Sequence, residues 1–209
     1  MSQGKKQQKK KAASGSIRII AGKHRGRKLP VLMAEGLRPT TDRVKETVFN
    51  WLMPYIHGSN CLDCFAGAGS LGFEALSRGA SKVSLIELNN EAAKQLSANK
   101  QLLQSSDVTV CNTDVLVFLK NQTPEKFDVV FIDPPFRKDL ITQTSELLNN
   151  GWLSEQALIY VEMESESTQS LPATWQLLKE KIAGQVVYRL YQYNKSSLPV
   201  TSAHVALVT

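Results

Sequence analysis

The sequence predicts a doubly wound α/β fold, in which a mostly parallel sheet of seven strands is covered by helices on both faces. Two observations carry this. From Gly58 onward, apolar runs at 60–65, 82–88, 107–112, 127–132 and 156–163 alternate with helical patterns at 70–79, 89–103, 114–120 and 137–149. The runs are also nearly unbroken in Val, Ile, Leu and Phe, which marks strands buried on both faces and joined by crossover helices.

Taken in order, the chain begins with MSQGKKQQKKKAASG (1–15), which has the composition of a disordered basic tail. SIRIIAGKHRGRKLPVL then sets short apolar runs around a Gly- and base-rich turn, Gly22 to Gly26, and reads as a β-hairpin. It would present Arg18, Lys23, His24, Arg25, Arg27 and Lys28 near one another as a phosphate-reading element. In RPTTDRVKETVFNWLMPYI the four-residue step of Val44, Val48, Leu52 and Ile56, with Asp42 ahead of them, predicts a helix over 41–56. Residues 16–57 thus form an N-terminal extension, and 58–209 the main domain. At the far end, GQVVYRLYQY (184–193) and SAHVALVT (202–209) are strand-like with no helix between them, so they should pair antiparallel at the sheet's edge.

Charge is unevenly divided. Residues 1–45 hold 13 Lys and Arg against Glu35 and Asp42, while the remaining 164 hold 12 against 17 acids, so the overall +6 hides a basic arm on an acidic body. Such an arm neutralises phosphates and releases counterions, which points to a nucleic-acid partner. No apolar stretch approaches the ~20 residues of a membrane span, and the lysine-rich start lacks the apolar run of a secretory signal; the expectation is a cytoplasmic protein without membrane contact. Cys61, Cys64 and Cys111 are too few for a disulfide framework, and on a strand the first two point to opposite faces. His24, His57 and His204 form no constellation with them, so no metal is expected. Trp51, Trp152 and Trp175 are expected in packing.

NCLDCFAGAGSLGFEALSRGA runs strand, tight turn, helix, and Gly67, Gly69 and Gly72 satisfy G-x-G-x-x-G. Glu87 ends the next strand, where it can accept from ribose hydroxyls; by itself this fits a nicotinamide dinucleotide as well as anything else. Asp63, just before the turn, would face an anionic pyrophosphate unfavourably and suits a cationic ligand. S-adenosylmethionine, with a sulfonium, an amino group, a ribose and an adenine, fits Asp63 and Glu87, and Asp114 stands where the adenine amino group could donate.

VVFIDPPFRKD ends a buried strand on a carboxylate and two prolines. At the carboxyl end of the fourth strand Asp133 would face the ligand crevice. If Asp133 and the Pro134 carbonyl accept the two N–H groups of a nucleobase amino group, its lone pair is drawn out of conjugation and aimed at a methyl donor. Pro134 and Pro135 supply rigidity. Phe136 can stack on a base turned out of its helix.

The D-P-P-F element, with the glycine loop before it, resembles the amino-methyltransferase motif N/D-P-P-Y/F/W. RIIAGKHRGRKLP followed by LRPTTDRVKETVFNWL is similar to the bacterial methyltransferases that modify guanine N2 in 16S ribosomal RNA. The similarity runs from Ile17 to the C-terminus. It implies a Rossmann-like class I methyltransferase acting as a monomer on ribosomal RNA within the small subunit or its precursor. Asp63, Phe65, Gly67, Gly69, Glu87 and Asp114 would form the S-adenosylmethionine pocket, Asp133 to Phe136 would surround the guanine, and Arg38 and Arg43 would lie at the RNA entrance. Two other readings remain open at this stage: an amino-methyltransferase for DNA or another RNA, and a non-catalytic RNA-binding ribosome-assembly factor.

Overall fold

The computed structural model describes residues 14–32, 42–136 and 138–195. Strands β1 (Ser14–Arg18) and β2 (Lys28–Leu32) form the expected antiparallel hairpin, closing with Arg18 opposite Lys28. Helix α1 covers Asp42–Leu52. It is shorter than expected at its C-terminus because Pro54, which has no N–H to continue the helix, follows within two residues.

The alternation then appears as β3 (Asn60–Asp63), α2 (Ser70–Ser77), β4 (Lys82–Glu87), α3 (Asn90–Leu102), β5 (Val108–Asn112), α4 (Val115–Asn121), β6 (Phe127–Ile132), α5 (Leu140–Leu148) and β7 (Leu153–Glu164). Two further strands follow, β8 (Trp175–Ala183) and β9 (Val186–Tyr193). The sheet has seven strands in the order β5-β4-β3-β6-β7-β9-β8. The first five are mutually parallel, and β9 runs antiparallel to both β7 and β8.

The reversed strand at 184–193 was expected and is β9; the run at 202–209, expected beside it, lies outside the described residues. Instead β9 inserts between β7 and β8, so the reversed strand is not the edge. Sequence periodicity misses β8 for a physical reason. After Trp175 every residue of WQLLKEKIA is exposed, so neither face had to be apolar.

Alternation along the strands divides the interior in two. One core holds Phe49, Leu52, Phe73, Leu96, Phe131 and Tyr160 with Ile17, Ile19, Leu29 and Val31 of the hairpin. The other holds Leu62, Ile86, Val130, Ile132, Trp152 and Trp175. Cys61 packs in the first and Cys64 in the second, as the alternation required, and burial pushes the Cys61 thiol up to about 12. Trp152 and Trp175 are buried and spend their indole N–H groups on Leu119 O (3.2 Å) and Asn149 Oδ1 (3.0 Å).

The hairpin is locked to α2. Glu74, 1% exposed, accepts from Ile20 N (2.9 Å) and Ala21 N (3.0 Å), and its charge is matched by Arg78 Nε at 2.8 Å. Ser77 Oγ accepts from His24 N at 2.9 Å, and Ser77 O from Lys23 N at 2.7 Å. This places the 22–26 turn on the C-terminal end of α2. Among the described residues no helix is long and apolar enough to cross a membrane.

Candidate active site

The carboxyl ends of β3, β4, β5 and β6 open into one cleft of about 1110 Å³. It lies where the strand order turns back on itself between β3 and β6, the place such sheets bind ligands.

One half is built on the glycine turn. Phe65, Gly67 and Glu87 line it, with Leu88, Asn89 and Thr113. Gly69 has φ 80°, and a Cβ there would lie 2.5 Å from the Phe73 ring and 2.7 Å from Leu96. Only glycine permits the turn. Glu87 spends one bond of each carboxyl oxygen on the backbone, accepting from Gly67 N at 2.8 Å and Asn89 N at 2.7 Å. A carboxylate has about four acceptor sites, so it can brace the turn and still receive hydroxyls. Asp114 caps α4 through Oδ1, from Leu116 N (2.8 Å) and Val117 N (3.1 Å), and borders the same cleft.

Asp63 departs from expectation. Rather than facing the ligand it turns beneath the loop, 2% exposed, and accepts from Gly72 N at 3.1 Å. It is not part of the cleft wall. Gly72 makes this possible, since a Cβ would stand 2.2 Å from Leu85 and 3.3 Å from Asp63 Oδ2. Asp63 therefore braces the turn from beneath.

Desolvation drives the Asp63 carboxyl up to about 7, against the opposing pull of backbone N–H bonds from Gly72 and Phe65, with Glu87 adding to the rise. Its unfolded pKa is near 3.8, so between about pH 4 and 7 the folded protein binds a proton that the unfolded chain has lost, and stability from this group falls as pH rises. Asp63→Asn keeps the acceptor and removes the titration. Thermal midpoints of ligand-free protein should therefore drop less between pH 5 and 8 in the variant than in the parent.

The other half begins where β6 stops. Asp133, Pro134, Pro135 and Phe136 all line it, and the Phe136 ring is 47% exposed, open to a planar partner. Burial raises the Asp133 carboxyl well above its usual range, Glu162 raises it further, and Asp63 adds a smaller push. Opposite stand Arg43, Val44 and Thr47 of α1 and Lys181 and Ile182 of β8, with Lys181 Nζ donating to Thr47 Oγ1 at 3.2 Å across the mouth.

Sequence reasoning missed Glu162 and Lys181. Lys181 carries no signal, because β8 has no periodicity. Glu162 does have one: it is an acid directly after the apolar run ALIYV and at the same end of its strand as Asp133.

The basic residues are less gathered than expected. Arg43 reaches the cleft, and Arg38 lies outside the described residues. Lys23, Arg25, Arg27 and Lys28 are exposed. They sit around the turn on the far end of α2, which at 8 residues puts them ~12 Å from the cleft side. Arg27 is also tied to Leu102 O at 2.9 Å, and Arg18 pairs with Asp42 at 2.8 Å. Burial, then Lys23 and Arg27, push the His24 imidazole below its usual value. No cluster of three or more His, Cys, Asp or Glu that could hold a metal exists among the described residues.

A sheet of this order, with its reversed strand next to one edge and an Asp-Pro-Pro-Phe wall facing a glycine turn across one cleft, defines a Rossmann-like class I methyltransferase. The family model described as Conserved hypothetical protein 95 matches residues 17–192, and the chain belongs to that family. Ribosomal RNA small subunit methyltransferase D of Haemophilus influenzae is 59% identical over 184 residues, covering 86% of this chain and 95% of its own. The Escherichia coli protein of the same name is 53% identical, covering 87% and 92%. A solved Escherichia coli structure, 53% identical, superposes with a TM-score of 0.79 over 86% of this chain and 99% of its own.

Proposed function

We propose that the protein transfers a methyl group from S-adenosylmethionine to the exocyclic N2 of a guanine in small-subunit (16S) ribosomal RNA. The observation that carries the reading is the single cleft in which the glycine turn with its acids meets Asp133, Pro134 and an uncovered Phe136. The names of the relatives supply the polymer.

The ligand chemistry fits the walls. Glu87 and Asp114 offer acceptors to ribose hydroxyls and an adenine amino group, the turn closes on a compact nucleoside, and exposed Leu88 (69%) offers an apolar surface to its ring. Bound there, S-adenosylmethionine supplies an electrophilic methyl carbon on a sulfonium.

An aromatic amine is a poor nucleophile because its lone pair is delocalised into the ring. Asp133 and the Pro134 carbonyl accept its two hydrogens and aim the lone pair. As the N–C bond forms and the methyl–sulfur bond breaks, with S-adenosylhomocysteine leaving as the neutral thioether, positive charge develops on nitrogen, and the adjacent carboxylate stabilises it. Asp133 then takes up the proton that the nitrogen sheds. Phe136 stacks on the base, which returns ~1–3 kcal/mol of the cost of turning it out. Arg43 at the cleft and the cations of the 22–26 turn hold phosphates on either side. The protein acts as a cytoplasmic monomer on the subunit or its precursor.

Incubating the protein with methyl-labelled S-adenosylmethionine and small subunits from cells lacking it should place label in N2-methylguanosine. Label in adenine, cytosine or protein would overturn the assignment.

A further inference from the structure

The ladder between β6 and β7 pairs Ile132 with Val161. One step further along, Asp133 and Glu162 stand side by side on parallel neighbours ~4.8 Å apart, and both line the cleft. Alternation sends Val161 into the second core and Glu162 to the opposite face, where Tyr160 donates its hydroxyl to Glu162 Oε2 at 3.0 Å. The phenol fixes one carboxyl oxygen and leaves Oε1 for a ligand.

Packing alone does not call for this pair, since neighbouring acids repel. Desolvation raises both carboxyls, and Glu162 raises Asp133 further. An incoming edge rich in N–H groups would relieve that crowding.

Bases with an amino group differ in the ring atom beside it. In adenine it is N1 and in cytosine N3, both bearing a lone pair. In guanine the amino group lies between N3, which bears a lone pair, and N1 on the Watson–Crick edge, which bears a hydrogen. A second carboxylate next to the clamp therefore meets a donor in guanine and a lone pair in the other two.

We propose that Glu162 selects guanine, its Oε1 accepting the N1–H while Asp133 and the Pro134 carbonyl hold the amino hydrogens. The assignment rests on the function proposed above and deepens it, because it gives the structural reason for one base over the others. Reading a flipped base through its Watson–Crick edge is the usual route to such choice.

The test uses small subunits reconstituted with RNA in which the labelled guanine is replaced by 2,6-diaminopurine, which keeps the N2 amino group but leaves N1 unprotonated. Wild-type protein should prefer guanine by on the order of a hundredfold in kcat/KM, as a buried acceptor facing a lone pair is costly. Glu162→Gln keeps the shape and an acceptor for Tyr160, yet can turn an amide N–H toward N1. Its preference should collapse to within a few fold, chiefly through loss of the guanine rate, while S-adenosylhomocysteine binding by calorimetry stays as in the parent.

A variant with the wild-type preference overturns the proposal. So does a wild-type protein that uses both bases equally, a result that needs no variant to fold. If wild-type protein labels guanine N2 and either of these is seen, only the role of Glu162 is lost; if it labels no guanine, the functional reading falls and this one with it.

Discussion

Asp133→Ala should lower the rate of methyl transfer by on the order of 10²–10³-fold, the usual loss when one preorganised group facing a developing charge is removed. Single-turnover assays with saturating small subunits measure it, and S-adenosylhomocysteine affinity should change little, because that ligand lacks the charged sulfur. Loss of cofactor binding together with activity would mean that Asp133 serves the pocket and not the acceptor. The rate should also depend on pH in a defined direction. Asp133 must be a carboxylate to take up the proton, and burial together with Glu162 and Asp63 favours the neutral acid. Its folded pKa is raised, so kcat/KM should climb as pH rises. Glu162→Gln removes a like charge and should move that limb to lower pH.

Gly22→Ala should undock the hairpin. The residue has φ 80°, which costs an L side chain ~1–2 kcal/mol, and its Cβ would fall 1.8 Å from the Ser77 carbonyl, part of a helix that cannot yield. The bonds that Glu74 and Ser77 make to Ile20, Ala21 and His24 depend on that approach. A lower thermal midpoint is expected, with intact S-adenosylhomocysteine binding. The exposed Lys23, Arg25, Arg27 and Lys28 leave their fixed place with the turn, so RNA affinity should weaken and the slope of log K against log salt should flatten by about 2–4. An unchanged slope would show that these cations do not meet phosphate.

The five parallel strands were legible because their burial on both faces forces continuous apolar runs, and the glycine turn because only glycine fits a left-handed backbone against Phe73. Asp133 to Phe136 were legible for a similar reason: a carboxylate and two prolines closing a buried strand have few structural uses. Strand β8 was not legible, since its exposed residues face no constraint on polarity. Asp63 was legible as an acid just before the turn, while its bond from Gly72 N was not, because a strand position says which residue is buried and not what covers it.

What the sequence determined by itself was the order of elements from the hairpin to β7, the basic arm, the glycine turn and the Asp133–Phe136 end of β6, all of which are local patterns of period, charge and special backbone. What only the tertiary structure decided was adjacency between residues far apart in the chain. The β6–β7 register sets Glu162 beside Asp133. The docking of Gly22 on Ser77 carries the basic turn to the far end of α2. No local pattern encodes either, because each arises when separate elements pack and exclude water together.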